Sequence, residues 1–127
     1  MRDVDRLSDA IVAMGDYAVG AGAEAKNRAR LSATEALAAR ALRVRMLGSA
    51  AIDLAWLAEG RLDASVTLSN RSWDVAAGVI LAREAGARVV DVDGREHTTD
   101  SAATIGANPQ LLAELLPVVR SGVTEAP

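Results

Sequence analysis

Short apolar runs alternate along this chain with stretches of helical spacing, and glycines or polar turns separate them. The run "DAIVAMGDYAVG" (9–20) reads as a strand passing into a loop. The Gly/Ala-rich and then charged stretch "YAVGAGAEAKNRAR" that follows reads as a surface connection. Leucines and alanines recur at helical spacing in "ATEALAARAL", with Ser32 or Thr34 as its cap. "LRVRML" (42–47) alternates apolar residues with arginine and predicts a strand. A helix is predicted over 48–60, capped by Ser49 and closed by Gly60. "RLDASVTLS" (61–69) predicts a strand, and Ser72 to Ala85 the next helix. "ARVVDVDGREHTT" predicts a strand and an Asp93-Gly94 turn, and "AATIGAN" another short strand. Asn108 caps a last helix with Pro109 at its first position, and Pro117 is expected to end or kink it. The tail 121–127 is expected to fray. Strands alternating with helices predict an α/β layered domain, a sheet covered by helices.

Composition narrows what such a domain can do. At 127 residues the chain makes one domain with a sizeable core, and neither a repeat nor a linker divides it. The first 31 residues carry the weakest pattern. Half the residues are hydrophobic but only 2% are aromatic, with no Phe, so Ala, Val, Leu and Ile must build the core. Lys26 is the sole lysine among 14 basic residues, which reads as coding bias and not as an arginine-dependent function. A net charge of −3 argues against nucleic acid as a partner, since that needs a basic face. Without cysteine there is no disulfide framework or thiolate zinc site, which fits a reducing, cytoplasmic location. No window approaches the roughly 20 apolar residues of a membrane span, and the N-terminus does not read as a signal peptide.

Two helix starts could carry chemistry. At "MLGSAAIDLAW" a strand turns through Gly48-Ser49 into a helix whose free N–H groups attract anions, although a packed turn has the same pattern. Asp74 lies in the first turn after Trp73, where the helix dipole favours an acid whatever its task. Trp73 reads as a packing residue sealing that helix start, and Arg83 and Glu84 as solvated or paired. "DVDG" (91–94) is too short for an EF-hand and reads as a turn. His97 stands alone and reads as a surface strand residue. Ser49 and Ser72 have no adjacent base to make them nucleophiles.

Taken together, "RMLGSAAIDLAWLAEGRLDA", "WDVAAGVILAREAGARVVDVDG" and "IGANPQLLAELL" closely resemble the C-terminal half of the inositol monophosphatase family. The pieces follow the family's order and spacing across Arg43 to Leu116, with the match extending back toward the first strand. The resemblance implies a layered α/β fold, a mixed sheet flanked by helices, and a Mg²⁺-dependent phosphomonoesterase, usually a homodimer. It makes Asp74 a metal ligand, gives Gly48, Ser49 and Ala50 a substrate-contact role, and identifies no catalytic residue in this half. The implied substrate is a phosphorylated polyol or sugar. Some inositol-specific members carry a Glu seven residues before the W-D aspartate, where this chain has Thr67. That leaves histidinol phosphate, a sugar bisphosphate or a phosphoadenosine nucleotide open. The family's G-E-E and D-P-x-D-G-T metal motifs are absent, since none of the three prolines follows an Asp. The expectation is little or no turnover by this chain alone, and an apolar surface that self-associates or meets a missing N-terminal half. A non-catalytic truncated or oligomerisation domain, one subunit of a split enzyme, and a small anion-binding module are the rival readings.

Overall fold

The computed structural model describes residues 1–69 and 72–124. After a short 3-10 turn (Leu7–Asp9), the elements are β1 (Ile11–Met14), α1 (Ala23–Arg40), β2 (Arg43–Arg45), α2 (Ala50–Glu59), β3 (Ala64–Thr67), α3 (Ser72–Glu84), β4 (Arg88–Val90), β5 (Thr104–Ala107) and α4 (Pro109–Thr124). The strands form one mixed sheet in the order β2-β1-β3-β5-β4. β1 lies parallel to both β2 and β3, while β5 runs antiparallel to β3 and β4. The α/β layered architecture follows the predicted alternation, and most elements lie within their predicted spans.

Each sheet face is covered by one pair of helices. α1 packs with α4 over Val12, Met14, Ala64, Val66, Val90, Ile105 and Ala107. α2 packs with α3 over the opposite face, where Leu54, Leu57, Val75, Val79 and Val89 share a second core. The alternation of side chains along a strand sends Ser65 and Gly106 to this second face. Glycine sets how near the layers come. A Cβ on Gly78 would lie 2.7 Å from Leu54 Cβ, and one on Gly122 2.7 Å from Ala33 Cα. The helices of each pair therefore touch almost backbone to backbone.

Local signals account for most ends. Ser49 Oγ accepts from Ile52 N at 3.2 Å, and Gly60 (φ 86°) closes α2 by donating to Leu57 O. Asn108 Oδ1 accepts from Leu111 N at 2.8 Å, the expected cap of α4. Asp63 clamps β3 to β1, its Oδ2 accepting from Ile11 N at 2.8 Å with Arg2 Nη1 3.5 Å away.

Three expectations are corrected. α1 begins at Ala23 behind Gly22, so much of the stretch read as a connection is helix, and Ser32 and Thr34 lie inside it. Thr34 spends its hydroxyl on Arg30 O (2.7 Å) and caps nothing. α4 runs through Pro117 to Thr124. Pro117 and Ala113, whose carbonyl loses its partner, both lie on the exposed side, where water can reach that oxygen. Burial of Leu111, Leu115 and Val119 on the other side offsets the roughly 3 kcal/mol cost of an interior proline. Residues 121–124 thus belong to α4; the last three residues of the tail expected to fray lie outside the described residues. Finally, His97 is 7% exposed and outside the strands, with Nε2 2.8 Å from Thr104 Oγ1. Burial and nearby Arg83 lower its pKa against the opposing pull of Asp91, so the fold favours the neutral ring.

Alanine is a better helix former than glycine by about 1 kcal/mol, yet Gly122→Ala is expected to destabilise the chain by about 1–3 kcal/mol through overpacking on Ala33. Urea unfolding measures this, and an unchanged or raised midpoint would contradict the close crossing.

Candidate functional site

Because β1, β2 and β3 are parallel, their carboxyl ends share one edge of the sheet. The chain leaves β1 toward α1 on one face, but leaves β2 and β3 toward α2 and α3 on the other. Connections that part in this way open a crevice between neighbouring strand ends, the usual ligand position in open α/β sheets. Here it falls between β1 and β3, where Gly15 faces Thr67. A Cβ on Gly15 would sit 3.5 Å from Thr67 Cα.

Gly48 (φ 80°) makes the turn into α2, and Ala50 is that helix's first residue. A Cβ on Gly48 would lie 3.2 Å from Asp16 Oδ2, so the end of β1 and the Gly-Ser turn meet. The first intrahelical bond of α2 runs from Asp53 N to Ser49 O (2.9 Å), and Ile52 N goes to Ser49 Oγ. That leaves the amides of Ala50 and Ala51 to face an anion.

Asp74 is exposed in the first turn of α3, at the same edge. Residues 70 and 71 of the preceding polar turn, and the side chain of Ser72, lie outside what is described. Trp73, read as a packing residue, is 72% exposed. The inward positions of α3 are Val75, Gly78, Val79 and Ala82. Arg83 and Glu84 fit their surface reading, Arg83 bonding His97 O at 2.8 Å and lying 3.7 Å from Glu96. The turn at Asp93-Gly94 is present, and Asp91 accepts from the amides of Val92, Ala102 and Ala103.

The fold agrees with comparisons to known proteins. Residues 4–124 match the profile of the inositol monophosphatase family. The chain belongs to that family. It is 33% identical over 115 residues to the probable inositol 1-monophosphatase ImpA of Mycobacterium tuberculosis, covering 91% of this chain and 43% of that protein. It is 40% identical over 91 residues to a fructose-1,6-bisphosphatase/inositol-1-monophosphatase of Thermotoga maritima, covering 72% of this chain and 36% of that protein. A solved structure of a Thermotoga maritima IMPase superposes with a TM-score of 0.87 at 31% identity, over 99% of this chain and 46% of that one. The chain thus spans less than half the length of the inositol monophosphatases it matches.

The family is generally metal-dependent. Asp74 supplies a hard oxygen of the type Mg²⁺ prefers, but that ion needs several ligands in octahedral array. Among the described residues no group of three or more His, Asp or Glu side chains could hold a metal. The described residues do not complete a Mg²⁺ site.

The site also contains two carboxylates that sequence reasoning passed over. Asp53, 1% exposed under α2, has an Oδ1 with no hydrogen-bond partner, and Asp16 stands near it. Burial first, and the charge of Asp16 second, raise the Asp53 pKa to about 6. The signal was present in "AAIDLAWLAEG": an acid one residue before Leu54, on the inward side of an otherwise apolar helix.

A folded-state pKa raised from 3.8 to about 6 means that the folded chain binds this proton more tightly than the unfolded one. Stability is therefore expected to fall as pH rises from about 4 to about 6 and then level off, with a penalty of about 3 kcal/mol. Asp53→Asn, which cannot ionise, should lack that falling limb and be the more stable protein at pH 8, with the advantage gone near pH 4. Denaturant titrations across pH read this; parallel curves for the two proteins would refute the assignment.

Proposed function

We propose that this chain supplies the substrate-facing C-terminal portion of a Mg²⁺-dependent phosphomonoesterase acting on inositol monophosphate or a related polyol or sugar phosphate. The observation that carries this reading is the meeting of two helix N-termini at one sheet edge, α2 behind Gly48-Ser49 and α3 bearing exposed Asp74. The amides of Ala50 and Ala51 orient the phosphoryl oxygens through the helix-start field. Asp74 offers one carboxylate to a metal ion whose remaining ligands the described residues do not supply. Thr67, half-buried at the end of β3, presents a neutral hydroxyl to the substrate's sugar or polyol part. No base or nucleophile is assigned within this chain, and cytoplasmic location remains part of the proposal.

A second reading is favoured by the outer side of the α2–α3 layer. Ile52, Ile80 and Leu81 are 44%, 62% and 51% exposed there, and apolar side chains grouped on one layer mark a surface that assembles. A non-catalytic domain that pairs through this face, with itself or with a polypeptide carrying the rest of the family fold, has the same surface.

Turnover separates the readings. With Mg²⁺ and inositol 1-phosphate the chain alone is expected to show background hydrolysis. Adding a polypeptide with the missing metal motifs is expected to restore it, and Asp74→Asn to lower the restored rate about a hundred-fold or more. Robust turnover by the isolated chain, abolished by Asp74→Asn, would show that it needs no further half. Association without any turnover would favour the assembly module, and a monodisperse monomer in sizing experiments would remove it.

A further inference from the structure

The outer side of α1 carries a pattern that the phosphatase reading does not use. Arg28, Leu31, Ser32, Glu35 and Ala39 recur at i, i+3, i+4, i+7 and i+11, so they share one side of the helix. The opposite side is spent on the core through Ala33 and Leu37. Where Gly122 brings α4 against Ala33, the two helices border a groove of about 670 Å³. Arg28, Leu31, Glu35 and Arg40 of α1 and Val118 of α4 are among the residues that line it. Leu31, the one large apolar side chain on this side of α1, is 55% exposed.

The charges along the helix have an order of their own. Glu24, Arg28, Glu35 and Arg40 alternate in sign, and both the inner and the outer two are centred on Leu31–Ser32. Read backwards, the helix therefore presents the opposite charge at each of these places. Glu35 and Arg40 make no hydrogen bond or ion pair with any described residue. Arg28 makes only an exposed contact with Glu24 at 3.4 Å. A surface whose reversed charge pattern is its own complement fits a second copy of itself turned end for end, as a twofold contact requires.

We propose that α1 is the contact between two copies of this chain, packed antiparallel about a twofold axis at Leu31–Ser32. Arg28 of each protomer meets Glu35 of its partner, about 10 Å of helix apart on each chain, and Glu24 meets Arg40 toward the helix ends. Leu31 leaves water between the two helices. Its burial supplies attraction, while exposed ion pairs contribute little each. The charges select direction instead, because a parallel pair would set Arg28 on Arg28 and Glu35 on Glu35. The contact lies on the α1–α4 face and leaves the Gly48-Ser49 turn, Asp74 and the exposed Ile52, Ile80 and Leu81 uncovered. It does not depend on the phosphatase reading.

Sedimentation velocity of the 127-residue chain over a concentration series is the test. A concentration-dependent dimer is expected, weakened by added salt. Arg28→Glu and Glu35→Arg, both at exposed positions, should each raise its dissociation constant about ten-fold or more. The variant carrying both changes should recover the dimer. An equimolar mixture of the two single variants should also pair, since one then offers two acids where the other offers two arginines. Ile80→Ser, on the α2–α3 layer, should leave the dimer intact. A chain that stays monomeric at every concentration overturns the proposal. So does a dimer indifferent to both single charge reversals, a mixture of the single variants that fails to pair, or a dimer lost in Ile80→Ser.

Discussion

Everything in this molecule depends on how closely its helices lie on one another and on the sheet. With three aromatic residues in the whole chain and no Phe, there is little bulk to hold layers apart. Gly78 lets α3 ride against Leu54, Gly106 lets Leu57 of α2 settle on β5, and Gly122 lets α4 touch the backbone of α1. Short side chains and near backbone contact are two sides of one solution: a thin core holds at close-packed density only if the elements approach this far. The same closeness fixes where α2 and α3 begin.

Three aspartates from neighbouring motifs show how one residue type serves different ends. Asp63 is buried, its Oδ2 taken by Ile11 N and Arg2 as a clamp between strands and its Oδ1 without a hydrogen-bond partner. Asp53 is buried beside Asp16, and burial first and that charge second let it hold a proton into the mildly acidic range. Asp74 is exposed at a helix start, where the helix dipole favours its charge without committing its oxygens. Only this last environment leaves a carboxylate available to an incoming ion, which is the physical content of its position after Trp73.

Much of the framework was legible because its signals are local. Ser49, Gly60 and Asn108-Pro109 act within a single turn, and the structure uses each as its chemistry suggests. What escaped depends on tertiary neighbours. The start of α1 lacks a side-chain cap, so nothing short-range marked Ala23. Pro117 is tolerated because the opposite side of α4 is buried, which no single helix reveals. His97 is drawn inside by Thr104 and Arg83, and the contact of Asp16 with the Gly48 turn joins residues from different strand ends. The metal and substrate roles of Asp74, Gly48, Ser49, Ala50 and Thr67 rest on family likeness, since a helix start by itself does not distinguish a ligand from a cap.

β2 is a border strand of three residues whose outer members, Arg43 and Arg45, are both exposed. Two such strands brought side by side from separate copies would set guanidinium groups of like charge against each other in the ladder. The sheet thus repels its own extension at this border. Growth by strand addition there is disfavoured, and closed assembly through helix faces is left as the easier route.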